Sequence, residues 1–121
     1  MNLDDIFSPE GPFGSKLENY RYRSSQVDMA HLIDEGFKNQ KYIVVEAGTG
    51  TGKSFAYLVP SFLMVSNDKS KKVVIATSTT TLQKQLYEKD IPVVEKTLGL
   101  DDIKTAILFG RSNYICMRKY Q

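Results

Sequence analysis

One short run of residues has the composition of a phosphate-binding loop. It consists of Ala47, Gly48, Thr49, Gly50, Thr51, Gly52, Lys53 and Ser54. Its three glycines let the backbone adopt positive φ angles and bring successive N–H groups against phosphate oxygens. Lys53 can reach the β- and γ-phosphates as a point charge, and the Ser54 hydroxyl can bind the Mg²⁺ that bridges them. The run therefore predicts a site for ATP and Mg²⁺.

The run departs from the usual pattern of this loop at its first position. The pattern is G-x-x-x-x-G-K-[ST], and Ala47 replaces the first glycine. Alanine is small enough for the turn, and the run lies between a predicted strand and a predicted helix, as such a loop requires. The alternative is a glycine-rich turn followed by an exposed lysine. The position of the run in the chain favours the phosphate loop.

Helical and strand patterns alternate around the loop. Short β-branched apolar runs predict buried strands at residues 42–46, 71–76 and 104–109. One helix is predicted at about 24–37, and a second from residue 53, with a kink or an end at Pro60. Further helix is predicted between 77 and 99, where Asp90 and Pro92 indicate a fresh start and Gly99 an end. This alternation predicts an α/β fold, with a parallel sheet of about three strands and flanking helices.

The length and composition are those of one globular domain or of a piece of one. The chain has 121 residues, of which 41% are hydrophobic and 25% charged. Residues 1–19 hold two prolines and two glycines, which predict an irregular arm, with a disordered terminus as the alternative. The chain shows neither a secretory signal nor a run long enough to span a membrane, and its one cysteine excludes an internal disulfide. We therefore expect a cytoplasmic protein with no membrane partner.

Two flanking features have side chains suited to a nucleotide and to a nucleic acid. Gln26 carries an amide that can pair with the N6/N7 edge of adenine through one donor and one acceptor. The hydroxyls of residues 77–81 follow the second predicted strand, where open α/β sheets bind ligands, and suit phosphodiester oxygens. The alternatives are a solvated glutamine and a simple helix cap. The net charge of +2 is too small to indicate nucleic-acid binding on its own.

Taken in order, these motifs resemble the DinG/XPD-type superfamily 2 DNA helicases, and the bacterial DinG and YoaA branch in particular. The matching segments are Arg23-x-x-Gln26-x-x-Met29, Glu46-Ala47-Gly48-Thr49-Gly50-Thr51-Gly52-Lys53-Ser54-x-Ala56-Tyr57-Leu58-x-Pro60, Thr77-x-Thr79-x-x-Leu82-Gln83-x-Gln85-Leu86 and Gly110-Arg111-x-Asn113-Tyr114-x-Cys116. The resemblance spans nearly the whole chain, and alanine is common in this family at the position of Ala47.

The resemblance implies a fold, an activity and roles for particular residues. Residues 20–121 would be the N-terminal part of a RecA-like ATP-binding lobe. The parent protein would be an ATP-dependent helicase that moves 5′-to-3′ along single-stranded DNA in repair or replication. Arg23 and Gln26 would read the adenine, while Thr77, Thr79 and Gln83 would touch the DNA strand.

Cys116 matches the first of four cysteines that bind a [4Fe–4S] cluster in many members of this family. Such a cluster needs about four thiolates, and this chain has one cysteine. The 121 residues therefore cannot hold the cluster alone, and an ordinary semi-buried cysteine is the alternative.

The sequence also lacks a second ATPase motif. No Asp-Glu-x-His or Asp-Glu-x-Asp run follows a strand, although such a run would hold Mg²⁺ and position the attacking water. We therefore expect the N-terminal fragment of a helicase, truncated near the iron–sulfur insertion, which binds nucleotide without hydrolysing it. Such a fragment leaves a sheet edge uncovered, which predicts self-association. The alternatives are a small nucleotide kinase and a non-enzymatic nucleotide-binding interaction module.

Overall fold

The computed structural model describes residues 1–48 and 52–120, and within these ranges the regular secondary structure is helical. The helices are α1 (Leu3–Phe7), α2 (Pro12–Lys16), α3 (Ser24–Asn39), α4 (Lys53–Asn67), α5 (Thr80–Gln85), α6 (Ile91–Leu98) and α7 (Met117–Tyr120). A π-helical turn, Leu86–Asp90, joins α5 to α6, and a 3₁₀ turn, Arg111–Asn113, precedes α7. None of the helices in these ranges combines the length and the apolar character needed to cross a bilayer.

The described residues contain no sheet, and the fold class expected from the sequence is wrong in this respect. Among the described residues none is in a β-strand, and no backbone hydrogen bond joins segments 42–46, 71–76 and 104–109. The second and third of these segments instead line a cavity of about 790 Å³ beside α4 and the π-turn. The predicted parallel α/β arrangement therefore lacks the strand pairing that defines it.

The exposure of these segments explains why the apolar pattern was misleading. Val44, Val74 and Leu108 are 98%, 91% and 81% exposed, whereas neighbouring residues such as Val45, Val73 and Ile107 are partly buried. This alternation has the period of two that is typical of an extended chain. A continuous apolar run predicts burial on both faces, but only one face of each segment is covered here.

α3 and α4 pack against each other at the centre of the molecule. α3 extends two residues beyond the predicted end and is closed by Gln40, whose φ of 53° is left-handed. α4 continues through Pro60 to Asn67, so the predicted end of the helix at this proline is wrong. Pro60 has no N–H to donate, but its side chain is fully buried in the core, and this packing offsets the lost hydrogen bond.

α5, the π-turn and α6 form one continuous helix from Thr80 to Leu98. Thr79 begins it by accepting a hydrogen bond from the Leu82 N–H on its side-chain oxygen, at 3.2 Å. α6 begins at Ile91 with Asp90 at its N-cap position, close to the predicted start. The φ of −72° and ψ of −43° at Asp90 are themselves helical, so α6 continues the π-turn instead of starting afresh. The ring of Pro92 would meet the carbonyl four residues earlier in a regular α-helix, and the wider π-turn relieves that contact. The helix ends at Gly99 with a left-handed φ of 67°, as predicted.

Residues 1–19 do not form an irregular arm. They fold into α1 and α2, and Phe7 and Phe13 are fully buried with ring centroids 5.3 Å apart. Phe13 also meets the ring of Phe55 on α4 edge-on at 5.2 Å, and Lys16 donates to the Thr97 carbonyl oxygen at 2.9 Å. Burial of each phenylalanine contributes roughly 1.5–3 kcal/mol, which outweighs the tendency of prolines and glycines to leave the chain irregular. A division of the chain at residue 19 stays a prediction.

The hydrophobic core thus lies among helices. Its buried apolar side chains come from α1 to α4, the π-turn and α6: Leu3, Ile6, Phe7, Phe13, Val27, Ala30, Ala56, Leu58, Val59, Phe62, Leu86, Val94 and Leu98. This core fixes the start of α4, where the phosphate loop ends, against α3 and the π-turn.

Candidate nucleotide-binding site

The last three residues of the predicted phosphate loop form the start of α4. Gly52 is the N-cap, with a left-handed φ of 74°, and Lys53 and Ser54 are the first two helical residues. Gly52 has no side chain to cap this 15-residue helix, and among the described residues no capping side chain accepts from its first N–H groups. The helix N-terminus also carries partial positive charge. This end of α4 has the polarity and the donors that bind a phosphate group.

Two residues at the start of the predicted loop, Ala47 and Gly48, are also described. Ala47 is partly buried and Gly48 is exposed. Thr49, Gly50 and Thr51, which the sequence also assigns to phosphate binding, lie outside the described residues. The described part of the site therefore consists of the two ends of the loop, with the exposed Lys53 beside the helix N-terminus.

Gln26 contacts the end of the phosphate loop. Its Nε2 donates to the Gly52 carbonyl oxygen at 2.9 Å, and the residue is 4% exposed. A side chain on residue 52 would collide with this amide, since a Cβ there would lie 2.1 Å from Nε2. Oε1 of Gln26 is buried and has no hydrogen-bond partner among the described residues. A buried acceptor of this kind normally has a partner, so Gln26 holds an unused acceptor beside the loop.

Asp90 on the π-turn was missed by reasoning from the sequence. Its carboxylate is hydrogen-bonded by Ser54, and its Oδ2 is buried without a partner among the described residues. Burial raises the pKa of Asp90, while the Ser54 hydrogen bond and the Lys89 charge act in the opposite direction. The sequence pattern indicated only a helix start at this position. No local signal could have placed it beside Ser54, because the contact depends on how the π-turn packs against α4.

Arg23 occupies the position before the first residue of α3, three residues ahead of Gln26. It is exposed, unlike Gln26. The structure thus places both predicted adenine-reading residues on the first turn of the helix that packs against α4. Gln26 contacts the loop through Gly52.

The three residues predicted to touch DNA make hydrogen bonds within the chain. The Thr77 hydroxyl donates to the Thr79 carbonyl oxygen at 2.9 Å, and Thr79 caps α5. Gln83 donates from Nε2 to the Leu108 carbonyl oxygen at 2.6 Å, which ties α5 to the segment 104–109. These residues therefore lie together at the start of α5.

Cys116 is exposed and carries a free thiol. In the part of the chain that the structure describes, no three His, Cys, Asp or Glu residues are grouped so that they could hold a metal ion. The single thiol does not fit an iron–sulfur cluster, which needs about four.

Comparison with known proteins identifies the family. A family model for DEAD/DEAH box helicases matches residues 24–114, from the first residue of α3 to just beyond the 3₁₀ turn. The chain belongs to this family. The match includes the phosphate loop, the π-turn with Asp90 and the segment from Thr77 to Gln83, so every site described above except Arg23 and Cys116 lies within the helicase region.

Individual relatives confirm the resemblance to DinG and YoaA. The ATP-dependent DNA helicase YoaA of Haemophilus influenzae is 38% identical over 117 residues, which are 97% of this chain and 17% of that protein. The ATP-dependent helicase DinG of Mycobacterium tuberculosis is 41% identical over 100 residues, 80% of this chain and 15% of the relative. The 3'-5' exonuclease DinG of Bacillus subtilis is 34% identical over 105 residues, 87% of this chain and 11% of the relative. The chain therefore spans less than a fifth of the length of these relatives. No solved structure matches it.

Proposed function

We propose that this chain is the ATP-binding part of an ATP-dependent DNA helicase. The observation that carries the proposal is the start of α4, where an uncapped helix N-terminus follows Gly52 and presents Lys53 and Ser54. The helicase family supports it, and so do relatives named as ATP-dependent helicases. In the parent protein, ATP hydrolysis would drive 5′-to-3′ movement along single-stranded DNA in the cytoplasm, in repair or replication.

Each described residue of the loop has a role in this proposal. Ala47, Gly48 and Gly52, together with Thr49, Gly50 and Thr51 outside the described residues, enclose the triphosphate. Lys53 supplies a positive charge to the β- and γ-phosphates, and the Ser54 hydroxyl binds Mg²⁺. Mg²⁺ neutralises phosphate charge when it is bound. The first N–H groups of α4, which receive no side-chain cap from Gly52, fit this ligand because phosphate oxygens are acceptors.

Gln26 and Arg23 are proposed to hold the adenine. Bidentate pairing with adenine uses one acceptor and one donor of an amide. The buried Oε1 of Gln26 is an acceptor without a partner, and Nε2 carries a second hydrogen besides the one given to Gly52. An adenine N6 donor would satisfy that acceptor. Gln26 would then contact both the adenine base and, through its hydrogen bond to Gly52, the phosphate loop.

The start of α5 is proposed to contact single-stranded DNA through Thr77, Thr79 and Gln83. The side-chain oxygen of Thr79 accepts from the Leu82 N–H, which leaves its hydroxyl hydrogen able to donate to a phosphate oxygen. Such contacts position a strand without reading its sequence. Cys116 would serve an iron–sulfur cluster only where a longer protein supplies the other thiolates.

The experiment that tests nucleotide binding measures the affinity of a fluorescent ATP analogue with Mg²⁺ present. We expect saturable binding to the chain. Binding should be at least tenfold weaker after Lys53→Ala, because the positive charge that contacts the phosphates is removed. Lys96→Ala, which removes an exposed lysine from α6, is the control and should bind as the wild type does. Unchanged binding by the Lys53 variant would contradict the assigned role.

For the 121 residues alone we propose nucleotide binding without turnover. ATP hydrolysis that disappears with Lys53→Ala would overturn this part. Phosphoryl transfer to a second nucleotide without DNA would favour a kinase instead. Capture of a protein partner that is indifferent to ATP would favour an interaction module.

We also propose that the isolated chain self-associates. The outward-facing residues of the three extended segments, such as Val44 and Val74, are apolar and almost fully exposed. Segments without backbone partners can pair with the same segments of another copy. The association would reduce the apolar area in contact with water.

A further inference from the structure

Asp90 is a partly buried carboxylate that none of the proposed roles uses. It lies on the π-turn, against the first turn of α4. Its Oδ2 is buried and has no hydrogen-bond partner among the described residues. Removing a carboxylate oxygen from water without a partner is unfavourable, so this arrangement needs an explanation.

The neighbour of this carboxylate is the side chain that the proposed function assigns to Mg²⁺. Ser54 hydrogen-bonds to Asp90. A serine hydroxyl has one hydrogen to donate and two lone pairs. When the hydrogen points at Asp90, both lone pairs are left for a cation, and the hydrogen cannot turn toward the cation and repel it. The second oxygen of Asp90 adds negative charge beside the same position.

The helix geometry around Asp90 changes the direction of its side chain. A π-turn contains one residue more than the α-helical turn that it replaces, and each residue of an α-helix turns the side-chain direction by about 100°. The extra residue in Leu86–Asp90 therefore re-aims Asp90 relative to α5. Leu86, at the other end of the turn, is buried in the core and anchors it.

We propose that Asp90 is a positioning residue for Mg²⁺ bound with the nucleotide. It accepts the Ser54 hydroxyl hydrogen and so directs the Ser54 oxygen lone pairs toward the cation. This inference rests on the proposed function, because it requires that Ser54 is a Mg²⁺ ligand. It adds a group from the π-turn that the phosphate-loop pattern does not contain.

The test compares the affinity of the fluorescent ATP analogue in Mg²⁺ with its affinity in excess EDTA. The ratio of the two affinities measures the contribution of the cation. Asp90→Asn keeps an oxygen that can accept the Ser54 hydrogen but loses the negative charge. It should therefore reduce this ratio about tenfold, the difference between a hydrogen bond to a charged acceptor and one to a neutral acceptor, and leave the affinity in EDTA unchanged within twofold. Glu88→Gln, which alters an exposed carboxylate on the same turn, is the matched control and should keep the wild-type ratio.

A double-mutant cycle shows whether Asp90 acts through Ser54. In a Ser54→Ala background, Asp90→Asn should cause no further loss of the Mg²⁺ effect. A wild-type ratio for Asp90→Asn alone, or an equal loss in both backgrounds, would overturn the proposal. If the wild-type chain binds no nucleotide in either condition, the proposed function has failed instead.

Thermal melting of each variant separates positioning from a structural role. Asp90→Asn removes a carboxylate whose Oδ2 is buried without a partner, so its melting temperature should match or exceed that of the wild type. A variant that melts far lower, or does not fold, would show that Asp90 supports the fold. That result would also overturn the proposal.

Discussion

The contact between Gly52 and Gln26 allows a quantitative prediction for Gly52→Ala. The backbone at residue 52 has a φ of 74°, where an L-residue with a Cβ is disfavoured by roughly 1–2 kcal/mol. The added Cβ would also lie 2.1 Å from Nε2 and 3.0 Å from Cδ of Gln26. The glutamine must therefore move, and its 2.9 Å hydrogen bond to the Gly52 carbonyl breaks. A buried amide left without that partner costs about 1–3 kcal/mol.

Gly99→Ala is the matched control for this substitution. Gly99, at the end of α6, also has a left-handed φ, of 67°, but an added Cβ there meets nothing within 4 Å. Its substitution should therefore carry only the conformational penalty, roughly 1–2 kcal/mol. The free energy of unfolding should fall by about 2–5 kcal/mol for Gly52→Ala, and the difference between the two variants should be about 1–3 kcal/mol.

Urea unfolding followed by circular dichroism measures both losses on the same protein. Combining Gly52→Ala with Gln26→Ala removes the collision, so the double variant should lose less than the sum of the two single losses. Equal losses for Gly52→Ala and Gly99→Ala, or strict additivity with Gln26→Ala, would refute the packing of Gln26 against the loop.

Three further predictions concern the core, the surface charges and the exposed segments. Phe13→Ala should lower the free energy of unfolding by roughly 3–5 kcal/mol in the same urea experiment, since its ring is fully buried; a loss near zero would show that residues 1–19 are not part of the core. The Lys69 hydrogen bond holds the pKa of Asp102 below its usual value, so the stabilisation it gives is present above about pH 4 and is lost as pH falls through the folded-state pKa. Carbon NMR titration should show Asp102 ionising at lower pH in the wild type than in Lys69→Met, and identical curves would contradict the pairing. Sedimentation velocity should show association that grows with concentration and weakens when Val44 and Val74 are both changed to lysine; a monomer at all concentrations would contradict it.

The sequence predicted the helices around the site well because their signals are local. Thr79 as a cap and Gly99 as an end are residues whose own chemistry sets the backbone. Gly52, with its left-handed φ before Lys53, is another residue whose own chemistry sets the backbone. Pro60 and Pro92 were weaker guides, because burial in the core and a π-turn let the helices continue past them.

The sheet and the contacts within the site could not be predicted in the same way. A β-branched run such as 71–76 favours an extended chain, but a strand also needs a neighbour at hydrogen-bonding distance. The described structure provides none. The contact of Asp90 with Ser54 and that of Gln26 with Gly52 depend on how helices pack. The motifs predicted that Gln26 and Ser54 bind nucleotide, but they predicted neither of these contacts.

The central claim, that ATP and Mg²⁺ bind at the start of α4, can be tested directly by NMR. Titration of the isotope-labelled chain with Mg²⁺ and a non-hydrolysable ATP analogue should move the backbone amide signals of Gly52, Lys53 and Ser54 and the side-chain amide of Gln26. These shifts should saturate with one dissociation constant, while the amides of α7 stay in place. Absence of saturable shifts at residues 52–54, or shifts confined to other parts of the chain, would contradict the account.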